Sequence, residues 1–191
     1  VESRGLGDVY KRQAGMFTAL NPSVEEQLTL QPEMLAALSS PHSRPINIIL
    51  GLLKNLCSHP RFPTDDFLDQ TAVLFASDVK AVHQNTLGVL SKLAKEKKEY
   101  RDAICCAATQ GLMSRDESTQ NKIVKLIQTF GETESPTLKE ALSAYAETML
   151  TSTKKELAAY LKDNVSDALS TDKVLLTLSL IHISEPTRLD V

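Results

Sequence analysis

The sequence predicts an all-α fold, an α-solenoid of antiparallel helix pairs, and three observations carry that expectation. A seven-residue apolar motif recurs every 37 residues, the segments between its copies recur at the same spacing, and both are helix-spaced without the β-branched alternation of strands. Leu50 opens Leu-Gly-Leu-Leu-Lys-Asn-Leu, Leu87 opens Leu-Gly-Val-Leu-Ser-Lys-Leu, and Val124 opens Val-Lys-Leu-Ile-Gln-Thr-Phe. Apolar residues fill positions 1, 3, 4 and 7 of each copy, the stripe one helical face requires. Between them, Phe67-Leu68 with Phe75 matches Ile104-Cys105 with Leu112 and, less cleanly, Ala141-Leu142 with Met149. Each unit reads as a helix A, a short turn and a longer helix B that buries its apolar face against neighbouring units. A bundle of evenly spaced helices is the alternative.

Taken in order, Pro32-Glu33 suits a helix start, where the missing amide costs nothing and the carboxylate meets the positive end of the dipole. The stretch from His59 to Asp65 separates the first B helix from the second A helix, with Thr64 or Asp65 as the cap. Lys95 to Glu99 is a charge cluster closing the second B helix as a solvated turn. Ser114 to Glu117 forms a polar turn between an A and a B helix. Gly131 follows Phe130 at a helix C-terminus, and Ser135-Pro136 opens the next A helix. After Thr151 the period fails, because Asp163 and Asn164 occupy apolar positions of a fourth B motif due at Leu161. Either the array changes phase there or Lys154 to Leu161 is itself the shifted helix. Gly51 and Gly88 share a repeat position, a cost of about 1 kcal/mol each against alanine that close helix packing would offset. Lys125 at the third equivalent makes glycine non-obligatory.

The two ends read differently from the rest. Back-translated, Val1 to Gln13 and Leu178 to Asp190 pair codon by codon as reverse complements, thirteen in unbroken register, as in Gln13 (CAG) with Leu178 (CTG). The implied bases resemble the transposase adapter of sequencing libraries. Residues 1–13 and 178–191 are therefore set aside before fold reasoning, and Gly5 and Gly7 are not read as a phosphate loop. Leu178 to Ile183, following Val174 to Leu176, would enter a helix or strand through hydrophobicity alone. Residues 14–177 remain as an internal fragment of a helical-repeat domain.

That fragment keeps the net charge of −3, since the ends hold equal numbers of acids and bases. A mildly acidic chain lacks the basic field that displaces counterions from phosphates, so nucleic acid is disfavoured as a partner. No apolar run nears the roughly 20 residues of a membrane span. The three cysteines, Cys57, Cys105 and Cys106, form no disulfide framework and suit a reducing cytoplasm.

No constellation for chemistry emerges. Cys57 and His59 lack the further ligands zinc needs, and His42 belongs to a Pro-rich loop. His83 has Gln120 as its repeat equivalent, which points to a solvated polar site. Cys106 lies among alanines, unlike the electropositive setting of a reactive thiolate. No catalytic, metal-binding or cofactor-binding residue is expected.

One pattern points to binding. Asn47, Gln84 and Asn121 occupy one position in three successive B helices, three residues before each apolar motif. Equivalent amides would form a ladder able to donate to and accept from an extended peptide backbone. Lys54, Asn85, Lys92, Lys122 and Gln128 extend the same rows. The alternative is the plain polar side of amphipathic helices.

The run from Cys57 to Gly131 resembles a family of large bacterial helical-repeat proteins similar to HEAT repeats. The resemblance rests on Phe62 with Phe67-Leu68, on Val82 to Gln84 before the second B motif, and on Gln120 to Lys122 as its counterpart. It implies a HEAT-like, non-catalytic interaction scaffold, cytoplasmic, whose partners are a protein or peptide and the remainder of its own repeat array. A helical accessory domain of an enzyme, with its catalytic part elsewhere, is the alternative.

Overall fold

The computed structural model describes residues 22–161, and within them every regular element is helical. Residues 1–13 and 178–191, Val174 to Leu176 and Asp163 with Asn164 lie outside the described residues. Ten α-helices follow in order: α1 Val24–Thr29, α2 Gln31–Ala37, α3 Ser43–Leu56, α4 Thr64–Phe75, α5 Lys80–Glu96, α6 Arg101–Thr109, α7 Glu117–Phe130, α8 Pro136–Ala144, α9 Thr151–Glu156 and α10 Ala158–Leu161. Short 3₁₀ turns, Lys98–Tyr100 and Gln110–Met113, flank α6.

The three longest helices begin at Ser43, Lys80 and Glu117, 37 residues apart both times. Their recurring motifs supply the core: Leu50, Leu53 and Leu56, then Leu87, Val89, Leu90 and Leu93, then Val124, Leu126 and Ile127 are buried. Helices two apart in sequence pack on one another. α3 contacts α5, α5 contacts α7 and α7 contacts α9, while α2 contacts α4, α4 contacts α6, α6 contacts α8 and α8 contacts α10. Each α4–α5 and α6–α7 pair also packs together, so two rows of helices share one hydrophobic core. In the second row Phe67, Ile104, Cys105 and Leu142 point into it, as their spacing predicts.

Polar bonds repeat along the second row. The acid at the second position of α4, Asp65, accepts from the Tyr100 hydroxyl at the mouth of α6, 3.0 Å away. The acid at the second position of α6, Asp102, accepts from Ser135 at 2.6 Å and Thr137 at 2.5 Å at the mouth of α8. Both carboxylates also lie in the first turn of their helices, where the dipole favours them.

Helix ends follow the sequence in part. Pro32 sits in the first turn of α2, and Ser135 caps α8 by accepting from the Leu138 amide. Asp116 caps α7 by accepting from the Thr119 amide at 2.9 Å. Neither Thr64 nor Asp65 caps α4: the N-cap position falls on Pro63, and no side chain closes it. Instead the Thr64 hydroxyl accepts from Lys97 Nζ at 2.8 Å. Lys97 also donates to the Phe62 carbonyl at 3.1 Å and lies over the Phe62 ring, so the charge cluster closing α5 contains an anchor as well as a solvated turn.

Two glycines are required by space. A Cβ on Gly111 would stand 2.9 Å from both Ile123 Cδ1 and Phe75 Cε1, at the point where the turn after α6 meets α7 and α4. Gly131 has extended backbone, not the left-handed conformation of a terminating glycine. Its Cβ would strike the Ile127 carbonyl at 2.7 Å. By contrast, a Cβ on Gly51 would meet nothing within 4 Å, and one on Gly88 would meet only the Lys54 side chain. Close helix packing is therefore not what offsets those two glycines.

The change of phase begins before Thr151. α8 starts at Pro136, 35 residues after Arg101, and α9 starts three residues ahead of a 37-residue repeat from Glu117. The stretch from Lys154 to Leu161 is helical but breaks at Leu157, which turns into the core. Buried Tyr160 then hydrogen-bonds the Ile127 carbonyl at 3.3 Å.

Candidate functional site

The residues singled out for a groove all lie on α3, α5 and α7. Asn47, Gln84 and Asn121 are half-buried at successive levels of the row, and Lys54, Asn85, Lys122 and Gln128 are exposed beside them. Asn85 Nδ2 donates to Asn47 Oδ1 at 2.7 Å, and Lys92 Nζ donates to the Lys54 carbonyl at 2.8 Å, both from α5 to α3. Gln84 Nε2 donates to Thr119 Oγ1 on α7 at 3.0 Å. Gln128 Nε2 donates to the Glu156 carbonyl of α9 at 3.3 Å. Asn47, Gln84, Asn85 and Gln128 thus link neighbouring helices rather than standing as an unengaged ladder, Asn47 meets Asn85 instead of its equivalent Gln84, and no such link is made by Asn121 among the described residues. Each amide carries two N–H donors and two carbonyl lone pairs, so one bond leaves capacity for a ligand.

Between α5 and α7 the same face holds a groove of about 300 Å³. Leu87, Leu126 and Phe130 form its floor, Gly88 and Ser91 one wall, and Lys122 and Lys125 the other. Arg101 backs the Phe130 ring, its guanidinium carbon 5.2 Å from the centroid. The opposite row has a wider groove of about 580 Å³, floored by Leu68, Cys106, Ala107 and Ala141 and edged by Asp65 and Asp69.

His83 and Gln120 depart from the sequence expectation. Both are buried, at 6% and 0% exposure, because each falls on the apolar stripe of its helix. Gln120 ties three segments together. Its Nε2 donates to the carbonyls of Ser114 at 2.9 Å and Thr148 at 3.1 Å, and its Oε1 accepts from the Leu150 amide at 2.9 Å and the Thr153 hydroxyl at 2.8 Å. His83 packs its ring against Phe75, centroids 5.7 Å apart, and its Nε2 has no hydrogen-bond partner. The repeat equivalence of the two positions is real, but the environment is interior. Gln120 with Ile123, Val124 and Ile127 already follows core spacing, a signal present in the sequence.

The thiols are masked by burial. Desolvation pushes Cys57 up to about 11 and Cys105 up to about 12, and raises Cys106 as well. Cys57 donates to the Leu53 carbonyl at 3.3 Å, and His59 Nδ1 accepts from the Arg61 amide at 3.2 Å. Among the described residues no three His, Cys, Asp or Glu side chains gather as a metal site, and no helix is long and apolar enough to cross a membrane.

No curated protein and no solved structure matches the chain. Over residues 13–81, which include α1 to α4 and the first two residues of α5, the chain is similar to a family described as a domain of unknown function, DUF6493.

Proposed function

We propose that this chain is a stretch of a HEAT-like α-solenoid serving as a non-catalytic, cytoplasmic interaction scaffold, with the α3–α5–α7 face as its partner-binding surface. The observation that carries the reading is the 37-residue recurrence of α3, α5 and α7, each packed on the next, with equivalent helix faces turned the same way. The bonds from Asp65 and Asp102 to the mouth of the following helix support it independently, since each unit grips its successor in the same manner. Of the residues singled out from the sequence Lys122 lines the α5–α7 groove, while the amides lie elsewhere on the same three helices with spare hydrogen-bonding capacity, an arrangement that suits an extended peptide segment. The reading applies to residues 14–177 and treats both ends as adapter-derived. Sequencing the source locus through both junctions from unfragmented DNA tests that part: absence of the end-coding bases supports it, and their presence overturns it.

The binding face is tested by photo-crosslinking in cells. A photoreactive residue at exposed Lys122 on α7 is expected to form protein adducts that one at exposed Glu140 on α8 does not. Replacing Asn47, Gln84 and Asn121 together by alanine should abolish those adducts while the circular dichroism spectrum stays helical. Adducts unchanged by the triple substitution would overturn the assignment of the face.

A further inference from the structure

The two rows sort their charge. Helices α3, α5 and α7 carry seven Lys or Arg against two Glu, a net of +5, whereas α4, α6 and α8 carry two against five acids, a net of −3. The whole chain stands at −3, so the positive row is a local arrangement and not the average composition.

Within that row two of the lysines line the α5–α7 groove and a third lies beside it. Lys122 and Lys125 are exposed on one wall and enter no ion pair among the described residues. Lys54 is not part of the lining, but its ammonium lies beside the lining residue Gly88, 3.4 Å from where a Cβ would stand. No carboxylate lines the groove. Ammonium groups gathered without counter-charges beside an apolar trough attract a carboxylate-bearing ligand, and the low-dielectric floor strengthens that attraction. The floor of Leu87, Leu126 and Phe130 takes apolar side chains, which a phosphate backbone does not offer. The lining also holds no arginine fork of the kind that grips phosphate bidentately.

We propose that the groove between α5 and α7 binds an acidic, amphipathic segment of a partner protein. The segment's Leu- or Phe-type side chains enter the trough, and its carboxylates meet Lys54, Lys122 and Lys125. This rests on the reading of the α3–α5–α7 face given above and adds the chemistry of the occupant.

The test is fluorescence anisotropy with the full chain and three labelled probes: a short peptide alternating Glu with Leu, the same peptide with Lys for Glu, and a single-stranded oligothymidylate. The Glu peptide is expected to bind, more weakly as salt rises, and the other two are not. Lys122→Glu with Lys125→Glu should weaken the Glu peptide at least about tenfold, and the corresponding Gln pair should weaken it by less. Both lysines are exposed, so the variants should keep the parent circular dichroism spectrum; should the Glu pair fail to fold, the Gln pair carries the comparison. No binding of the Glu peptide, binding that ignores both charge variants, or preferential binding of the oligonucleotide would each overturn the proposal. If crosslinks at Lys122 identify a partner whose binding is indifferent to these charges, the acidic occupant fails while the face assignment survives. Loss of both signals defeats both.

Discussion

The α3–α5–α7 row and the α4–α6–α8 row share one packing pattern and differ in what they leave at the surface. Both bury apolar stripes against the same core, and both fasten successive helices with side-chain hydrogen bonds. In the α4 row the fastenings are carboxylates gripping hydroxyls, and the exposed charge is acidic. In the α5 row they are amides, a lysine on a backbone carbonyl and the Lys80–Asp116 ion pair, and the exposed charge is basic. Repetition fixes the core, and the non-repeating surface residues distinguish the faces. Interior stability and ligand choice should therefore respond to different substitutions.

The largest effect is expected at Gln120. Gln120→Ala strips the partners from the Leu150 amide, the Thr153 hydroxyl and two carbonyls in a buried setting, which should cost about 2–4 kcal/mol in urea unfolding. Gly111→Ala follows, because a Cβ 2.9 Å from Ile123 and Phe75 overpacks the junction of the rows, at roughly 1–3 kcal/mol. Neither substitution touches the charged wall of the α5–α7 groove. A variant that stays folded should keep its affinity for the Glu peptide, and a selective loss would break the separation of core from face.

Asp116 lies where the two properties meet, capping α7 while bonded to Lys80 of α5 at 2.7 Å. The Lys80 bond first, then those from Ser118 and Thr119, hold its carboxyl well below the usual carboxylate range. A folded-state value depressed in this way contributes stability above the unfolded value of about 4. That contribution is lost as pH falls through the lower folded value. Asp116→Asn keeps a capping side chain and loses the charge, so acid titrations of stability should show a shallower fall below about pH 4 in the variant. An unchanged acid limb would show that the bond to Lys80 adds nothing.

The smallest effect is expected at His83. Its ring is buried but its Nε2 bonds to nothing, so His83→Leu removes an unpaired polar atom and should shift stability by less than about 1 kcal/mol. A large loss there would place a hydrogen bond on His83 and remove its contrast with Gln120.

Much of the helix order is legible in the sequence because apolar spacing is a local property. Leu50, Leu87 and Val124 announce the three long helices, and Pro32 and Ser135-Pro136 announce two starts. Ser23 and Glu26 form a capping box at α1 whose three-residue spacing is a readable signal in the sequence. The interior polar positions are half legible: core spacing marks Gln120 as interior, but which groups satisfy it does not show in that spacing. Gln120 is satisfied in large part by residues about thirty positions away, which no local pattern reveals. The groove is half legible: the recurring amides fall on one row as their spacing implies, but their bonds across helices depend on how closely the helices approach. The placing of Lys122 and Lys125 on one trough, with Lys54 beside Gly88, is a tertiary fact, invisible in a chain whose overall charge is negative.

The most direct measurement is amide chemical-shift mapping of the isotopically labelled chain titrated with the Glu peptide. Perturbations are expected along one face, at Gly88 to Lys92 of α5 and Lys122 to Phe130 of α7, with α4, α6 and α8 unmoved. Shifts concentrated around Asp65, Asp69 and Tyr145 on the opposite row, or none at saturating peptide, would contradict that expectation.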